Sequence, residues 1–118
     1  MAVGKKTPRF LTPNQVIALS IERERERRCW TQEYTVAQLG QSGLRWSRVN
    51  YAMSISTSPK KGRQPREFNG DELTALAQTF AVPVWRFFIP PADRLVKLPG
   101  GGPTLDAAAM RFIATGRK

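Results

Sequence analysis

Two short helical patterns joined by a glycine-containing turn, at positions 30–55, constrain the fold of this chain most strongly. Thr31 precedes the first pattern and Ser47 precedes the second. Both are good N-cap residues, because a side-chain oxygen can accept a hydrogen bond from the exposed N–H groups of a helix's first turn. Gly40 and Gly43 interrupt the helical pattern between them. The stretch therefore predicts a helix-turn-helix, whose second helix can enter a DNA major groove.

A longer helix precedes this motif. Thr12 is its predicted N-cap, and Gln15 completes a capping box. Residues 22–28 then alternate in charge, so that acids and bases can pair at i,i+3 or i,i+4 spacing. The expected pairs are Glu22–Arg25, Glu24–Arg27 and Glu24–Arg28. This self-compensating run predicts a solvated helical face, and the helix is expected to end near Cys29.

The helical spacing also predicts which side chains of the two motif helices share a face. In the first of them, Val36 and Leu39 are the inward candidates. In the second, Val49, Ala52 and Met53 form one apolar face, and the other faces are polar or aromatic.

The chain beyond the motif predicts two more helices. Positions 57–64 (TSPKKGRQ) form a polar loop that is longer than most helix–helix connections, which makes it a candidate functional loop. Asn69 is the predicted N-cap of a fourth helix, and Glu72 completes its capping signal. A short fifth helix contains residues 84–88, and the prolines at 90–91 stop it.

These elements predict an all-α fold with three parts. The helix-turn-helix domain covers residues 12–91. Residues 1–11 are a basic N-terminal arm, either frayed in solvent or touching phosphates. Residues 92–118 are a flexible extension, in which LPGGGP at 98–103 has a linker composition. A last short helix at 104–116 must dock within the chain or on a second copy, or fray.

Composition narrows the function classes. The 118 residues carry a formal net charge of +10, which favours a polyanionic partner. There is no His, and Cys29 is the single Cys, so no catalytic nucleophile–base pair, cofactor site or metal site can be assembled. We therefore do not expect an enzyme, and no small-molecule effector is indicated. The absence of a long apolar run predicts a cytoplasmic protein, associated with the nucleoid and not with a membrane.

Candidate DNA contacts follow from the charge map. Between Glu33 and Glu67 the sequence has no acidic residue. The candidate backbone contacts in this interval are Arg45, Ser47, Lys60, Lys61, Arg63 and Arg66. Such contacts would add affinity and salt sensitivity. Arg48 and Asn50 have side chains that can bond guanine and adenine edges. Tyr51 either contacts DNA, at a thymine methyl or a phosphate, or packs beneath the helix.

At these residues the chain resembles the Cro/C1-type helix-turn-helix (XRE) family of bacterial and phage regulators, particularly actinobacterial members. The resemblance covers roughly residues 12–91. It rests on WTQE at the start of the second helix, WSRVNYAM at the third, and FNGDELTALAQTFAVPVWRFFIPP for the closing helices. It implies a five-helix, lambda-repressor-like domain that binds operator DNA, usually as a homodimer. It also implies that Gln32 contacts a phosphate and braces the recognition helix; Thr31 beside it is a further candidate backbone contact.

The sequence departs from the family pattern in three features. Thr35 and Val36 stand where the family usually has Leu-Ala, and Glu24 occupies a position that is commonly Leu. SISTS replaces the usual Ile-Glu-x-Gly closure of the recognition helix, and a long loop follows it. We expect that loop to lie along the DNA backbone as a basic wing.

The resulting expectation is a sequence-specific, double-stranded DNA-binding transcriptional regulator. It would repress by promoter occlusion, as a homodimer whose third helices enter successive major grooves about 34 Å apart. Two alternatives stay open. One is a nucleoid-associated DNA binder of low sequence specificity, and the other is a protein-interaction module such as an antitoxin or a polymerase-associated adaptor.

Overall fold

The computed structural model describes residues 10–56 and 67–116. These two stretches form a mostly helical fold with a small three-stranded sheet. The helices are α1 (Pro13–Arg27), α2 (Gln32–Gln41), α3 (Arg48–Ser54), α4 (Gly70–Phe80) and α5 (Ala107–Thr115), with a 3-10 helix at Val84–Phe88. The strands are β1 (Phe10–Leu11), β2 (Leu95–Leu98) and β3 (Gly101–Leu105). Among the described residues, no helix is long and apolar enough to span a bilayer.

The predicted helix starts are confirmed at four positions. In each, a side-chain oxygen accepts from the backbone N–H three residues later, at 2.8–3.2 Å. The four N-cap residues are Thr12, Thr31, Ser47 and Asn69. Reciprocal capping boxes form at the starts of α1 and α4, as expected. Local chemistry therefore decides where these helices begin.

Four of the described helices end on a residue with a left-handed backbone. Gly43 and Gly116 follow α2 and α5 with φ values of +96° and +73°, and Cys29 and Ala81 take φ values of 58° and 57° after α1 and α4. After α2, Leu44 N–H reaches back to the Leu39 carbonyl at 2.9 Å. This bond satisfies a carbonyl that the helix end would otherwise leave free. The left-handed region suits glycine at Gly43 and is strained for the side chains of Cys29 and Ala81.

The main core lies between the helices of the motif and the closing helices. Its buried members are Ile17, Ile21, Leu39, Trp46, Tyr51, Leu76, Phe80 and Phe87. Helix α3 contributes Tyr51, and Ser54 beside it is also buried. The apolar face of α3 that the sequence predicts does not join this core, since Val49 is 66% exposed and Met53 is 51% exposed. The side of this short helix that faces inward is therefore the one with the ring of Tyr51, and not the one with Val49 and Met53.

The C-terminal part forms strands where the sequence predicts an all-α fold and a linker, so that prediction is wrong here. Leu95 of β2 pairs in parallel with Phe10 of β1, and Val96 pairs antiparallel with Leu105 of β3. The LPGGGP segment supplies the end of β2, the turn and the start of β3. A glycine-rich run permits this tight reversal because Gly101 and Gly102 both adopt positive φ.

A second, smaller core joins the two ends of the described chain. Leu11, Val16, Val96 and Met110 are all buried and pack together. Helix α5 thus docks within the chain, which was one of the alternatives that the sequence left open. Its N-cap is Asp106, whose side chain accepts from the N–H of Ala109.

Candidate nucleic-acid interface

The first turns of α2 and α3 meet at one surface of the molecule. Arg48 Nη1 lies 3.4 Å from Glu33 Oε2, and both side chains are exposed. Thr31 and Gln32 join them to line a cleft of about 190 Å³. The structure therefore brings together three predicted contact residues, namely Thr31, Gln32 and Arg48. The ionic link from α2 to α3 involves Glu33, one residue after the Gln that the family resemblance assigns to bracing.

Most of the predicted contact residues on α3 and the preceding turn are open to solvent. Arg45, Ser47, Arg48 and Asn50 are all exposed. Ser47 also caps α3, since its Oγ accepts from the N–H of Asn50 at 3.0 Å. The side chains of Arg48 and Asn50 therefore expose donors and acceptors to solvent in the first turn of α3. This is the hydrogen-bonding chemistry that base edges in a major groove require.

Tyr51 does not belong to this surface, and its prediction as a base contact is wrong. Its side chain is fully buried, and its hydroxyl donates to Glu22 Oε2 of α1 at 2.7 Å. Burial, followed by the hydrogen bond to Glu22 and its negative charge, raises the pKa of Tyr51 above its ordinary value. Tyr51 remains a neutral donor at physiological pH and anchors α3 from beneath.

The partner of Tyr51 is itself held in a network that joins three segments. Arg25 donates from Nε and Nη2 to the two carboxylate oxygens of Glu22, each at 2.8 Å. Its Nη1 also donates to the carbonyl of Trp30 at 2.6 Å. Burial would raise the pKa of Glu22, but the hydrogen bonds from Arg25 and Tyr51 outweigh it and lower that pKa. The network fixes α3 against α1 and against the start of the helix-turn-helix.

Sequence spacing could not have revealed this link. Glu22 and Tyr51 are 29 positions apart, and the local pattern pairs Glu22 only with Arg25. That pair is observed, as are the other two pairs predicted along the same helix. The wider inference from the alternating charges, a solvated face, is wrong at Glu24.

Glu24 is buried with an exposure of 1% and is surrounded by arginines. Arg27 and Arg28 donate to its Oε1 at 2.8 and 2.7 Å. Arg86 of the 3-10 helix approaches Oε2 at 2.9 Å, as an ion pair whose angle falls outside that of a hydrogen bond. Burial acts to raise the pKa of Glu24, yet these arginines hold it below its ordinary value. This cluster joins α1 to the closing helices, at the position where the resembled family commonly has Leu.

No family model matches this chain, and the comparisons with curated proteins and with solved structures give no match. The resemblance to Cro/C1-type regulators therefore rests on the quoted motifs alone and stays a prediction.

Several predicted contacts fall outside the part of the chain that the structure describes. These are Lys60, Lys61, Arg63 and Arg66, together with the N-terminal arm before Phe10. The basic wing accordingly stays a prediction. Within residues 10–56 and 67–116, no group of three His, Cys, Asp or Glu side chains is placed to hold a metal ion.

Proposed function

We propose that the protein is a sequence-specific, double-stranded DNA-binding regulator of the Cro/C1 type. In this proposal α3 enters the major groove, and binding represses transcription by covering a promoter. Helices α1–α4 and the 3-10 helix at Val84–Phe88 would then be the five helices that the family resemblance implies. A homodimer would bind a palindromic operator with half-sites about 34 Å apart.

One observation carries the proposal: Arg48 and Asn50, whose side chains suit base edges, are both exposed on a capped, core-anchored α3. Arg48 can bond guanine in a bidentate manner, and Asn50 can do so with adenine. The cap at Ser47 and the buried anchor at Tyr51 hold these residues on a fixed helix. A fixed helix supports sequence discrimination, because its backbone does not have to be ordered on binding.

The distribution of charge supports the same function. The interval between Glu33 and Glu67 lacks acids, and it contains α3, the turn before it and the basic loop after it. Glu33, at the border of this interval, forms an exposed ion pair with Arg48 at 3.4 Å, which Arg48 would exchange for a guanine on binding. Exposed Arg45, and the cleft residues Thr31 and Gln32, are suited to phosphate contacts that flank the groove.

The proposal is tested by selecting duplexes from a random library and measuring their affinity at two salt concentrations. We expect a palindromic consensus and a preference of at least ~10³-fold over random duplex. Arg48→Ala and Asn50→Ala should each weaken binding by about 5- to 150-fold and relax the preference at one base pair. Arg45→Ala should weaken all duplexes alike and reduce the salt slope by about one.

Lys97→Ala is the matched control, because it removes one exposed positive charge from β2. It should leave the base preference unchanged. Steep salt dependence without any consensus would favour the nucleoid-associated alternative, which the net charge of +10 also suits. Specific capture of a protein, together with indifference to Arg48→Ala, would favour the interaction-module alternative.

A further inference from the structure

The side of α3 that points directly away from the core is apolar. A helix turns by about 100° per residue, so positions two before and two after Tyr51 both lie within about 20° of the direction opposite to it. Those positions are Val49 and Met53, which are 66% and 51% exposed. Arg48 and Asn50 lie to either side of this stripe. If α3 enters a groove, the two apolar side chains approach the base pairs most closely.

The stripe has no partner within the described chain, and its surroundings indicate which partner fits. Arg45 in the turn before α3 is exposed, as is Arg48, whose ionic partner is the exposed Glu33 at 3.4 Å. The sequence from position 34 to position 66 has no carboxylate, so an apolar protein surface placed on the stripe would leave the charge of Arg45 unmatched. A DNA major groove offers phosphates for the cations and an apolar group, the C5-methyl of thymine, at the base-pair edge.

We propose that Val49 and Met53 are specificity-determining residues that read thymine methyl groups. The inference rests on the proposed function and deepens it, because it states which bases the centre of α3 selects. Each half-site contains thymines within reach of one turn of α3, next to the base pairs read by Arg48 and Asn50. The buried bond from Tyr51 to Glu22 sets the rotation of α3 that brings the stripe outward.

The experiment uses the full-length chain and the consensus duplex obtained by selection. Each thymine is replaced in turn by deoxyuridine, which removes the methyl and keeps the pairing edge. We expect one or two replacements per half-site to weaken binding by about fourfold each, the factor that corresponds to burying one methyl-sized group. Val49→Ala should abolish the effect of one replacement, and Met53→Ala that of another.

Ile113→Ala is the matched control, since Ile113 is an apolar side chain of α5 with an exposure of 63%. It should retain every effect of deoxyuridine. Circular dichroism verifies that the α3 variants remain folded, which their exposure leads us to expect.

The inference is wrong if the selected duplex binds specifically but deoxyuridine has no effect. It is equally wrong if the Val49→Ala and Met53→Ala variants respond to deoxyuridine as the unmodified protein does, because other residues would then read the methyl groups. Both results leave the proposed function intact. Failure to select any consensus overturns the function and the inference together.

Discussion

Replacing Tyr51 with Phe removes one buried hydroxyl group and keeps the aromatic ring in the core. The lost bond joins a neutral donor to the carboxylate of Glu22, and bonds to charged groups contribute about 1.5–3 kcal/mol. Glu22 is 20% exposed and keeps both bonds from Arg25, so the carboxylate is not left bare. We therefore expect the lower end of that range, a loss of about 1.5 kcal/mol in the free energy of unfolding.

Denaturant and thermal unfolding followed by circular dichroism at pH 7 measure this loss. The melting temperature should fall by about 5–10 °C for a chain of this size. Tyr34→Phe is the matched control, because it makes the same chemical change at a side chain that is 48% exposed. Its unfolding free energy should stay within about 0.5 kcal/mol of the unmodified protein.

The effect of Tyr51→Phe should also depend on pH. Because the pKa of Glu22 is lowered in the folded chain, its stabilising contribution is present above the pKa of an unfolded carboxyl, about 4.3. That contribution is lost as the pH falls through the lower, folded value. Part of it comes from Tyr51, so the gap in stability between the variant and the unmodified protein should narrow below about pH 4.

Selection of duplexes by the Tyr51→Phe variant tests the conclusion that Tyr51 does not contact bases. If the residue only anchors α3, the variant should select the same consensus as the unmodified protein. A variant that unfolds within about 0.5 kcal/mol of the unmodified protein, yet changes the preference at one base pair, would refute the buried position.

The remaining predictions concern the framework around α3. Cys29→Gly and Ala81→Gly should each raise the unfolding free energy by about 0.5–1 kcal/mol, because glycine adopts the left-handed backbone without strain. Gly43→Ala should lower the unfolding free energy by about 1 kcal/mol for the same reason, and thermal melts test all three variants. Glu24→Gln should lower it by about 2 kcal/mol at pH 7 in urea unfolding, with a smaller difference once acid protonates the carboxylate. Met110→Ala should lower the unfolding free energy by about 2–3 kcal/mol in a single transition. If α5 were detached from the core, the unfolding free energy would not change.

The sequence predicted best what short-range chemistry controls. Ser47 and Asn69 cap α3 and α4 through bonds that span three residues, and Gly43 ends α2 with the backbone that glycine favours. The three ion pairs along α1 also formed at their expected spacing. Each of these features depends on neighbours within one helical turn, so the order of residues is sufficient to define it.

The errors fell where distant residues compete for one place. The aliphatic stripe of α3 and the ring of Tyr51 both had the spacing of an inner face, and the ring is the one buried because Glu22 supplies a partner for its hydroxyl. Glu24 had the pattern of a solvated residue, but Arg86 from the other half of the chain encloses it. The LPGGGP segment had the composition of a linker, yet it forms the hairpin between β2 and β3, and β2 in turn pairs with β1.

The sequence by itself determined the helix-turn-helix, its boundaries and the charge that surrounds it, because caps, glycine turns and net charge are properties of local order and composition. Tertiary structure alone decided how α3 is rotated, and therefore which of its side chains are offered to a partner. The physical reason is that a seven-residue helix has too little periodicity to choose its own inner face. The burial of Tyr51 and its hydrogen bond across 29 positions make that choice, and they turn Val49 and Met53 outward beside Arg48 and Asn50.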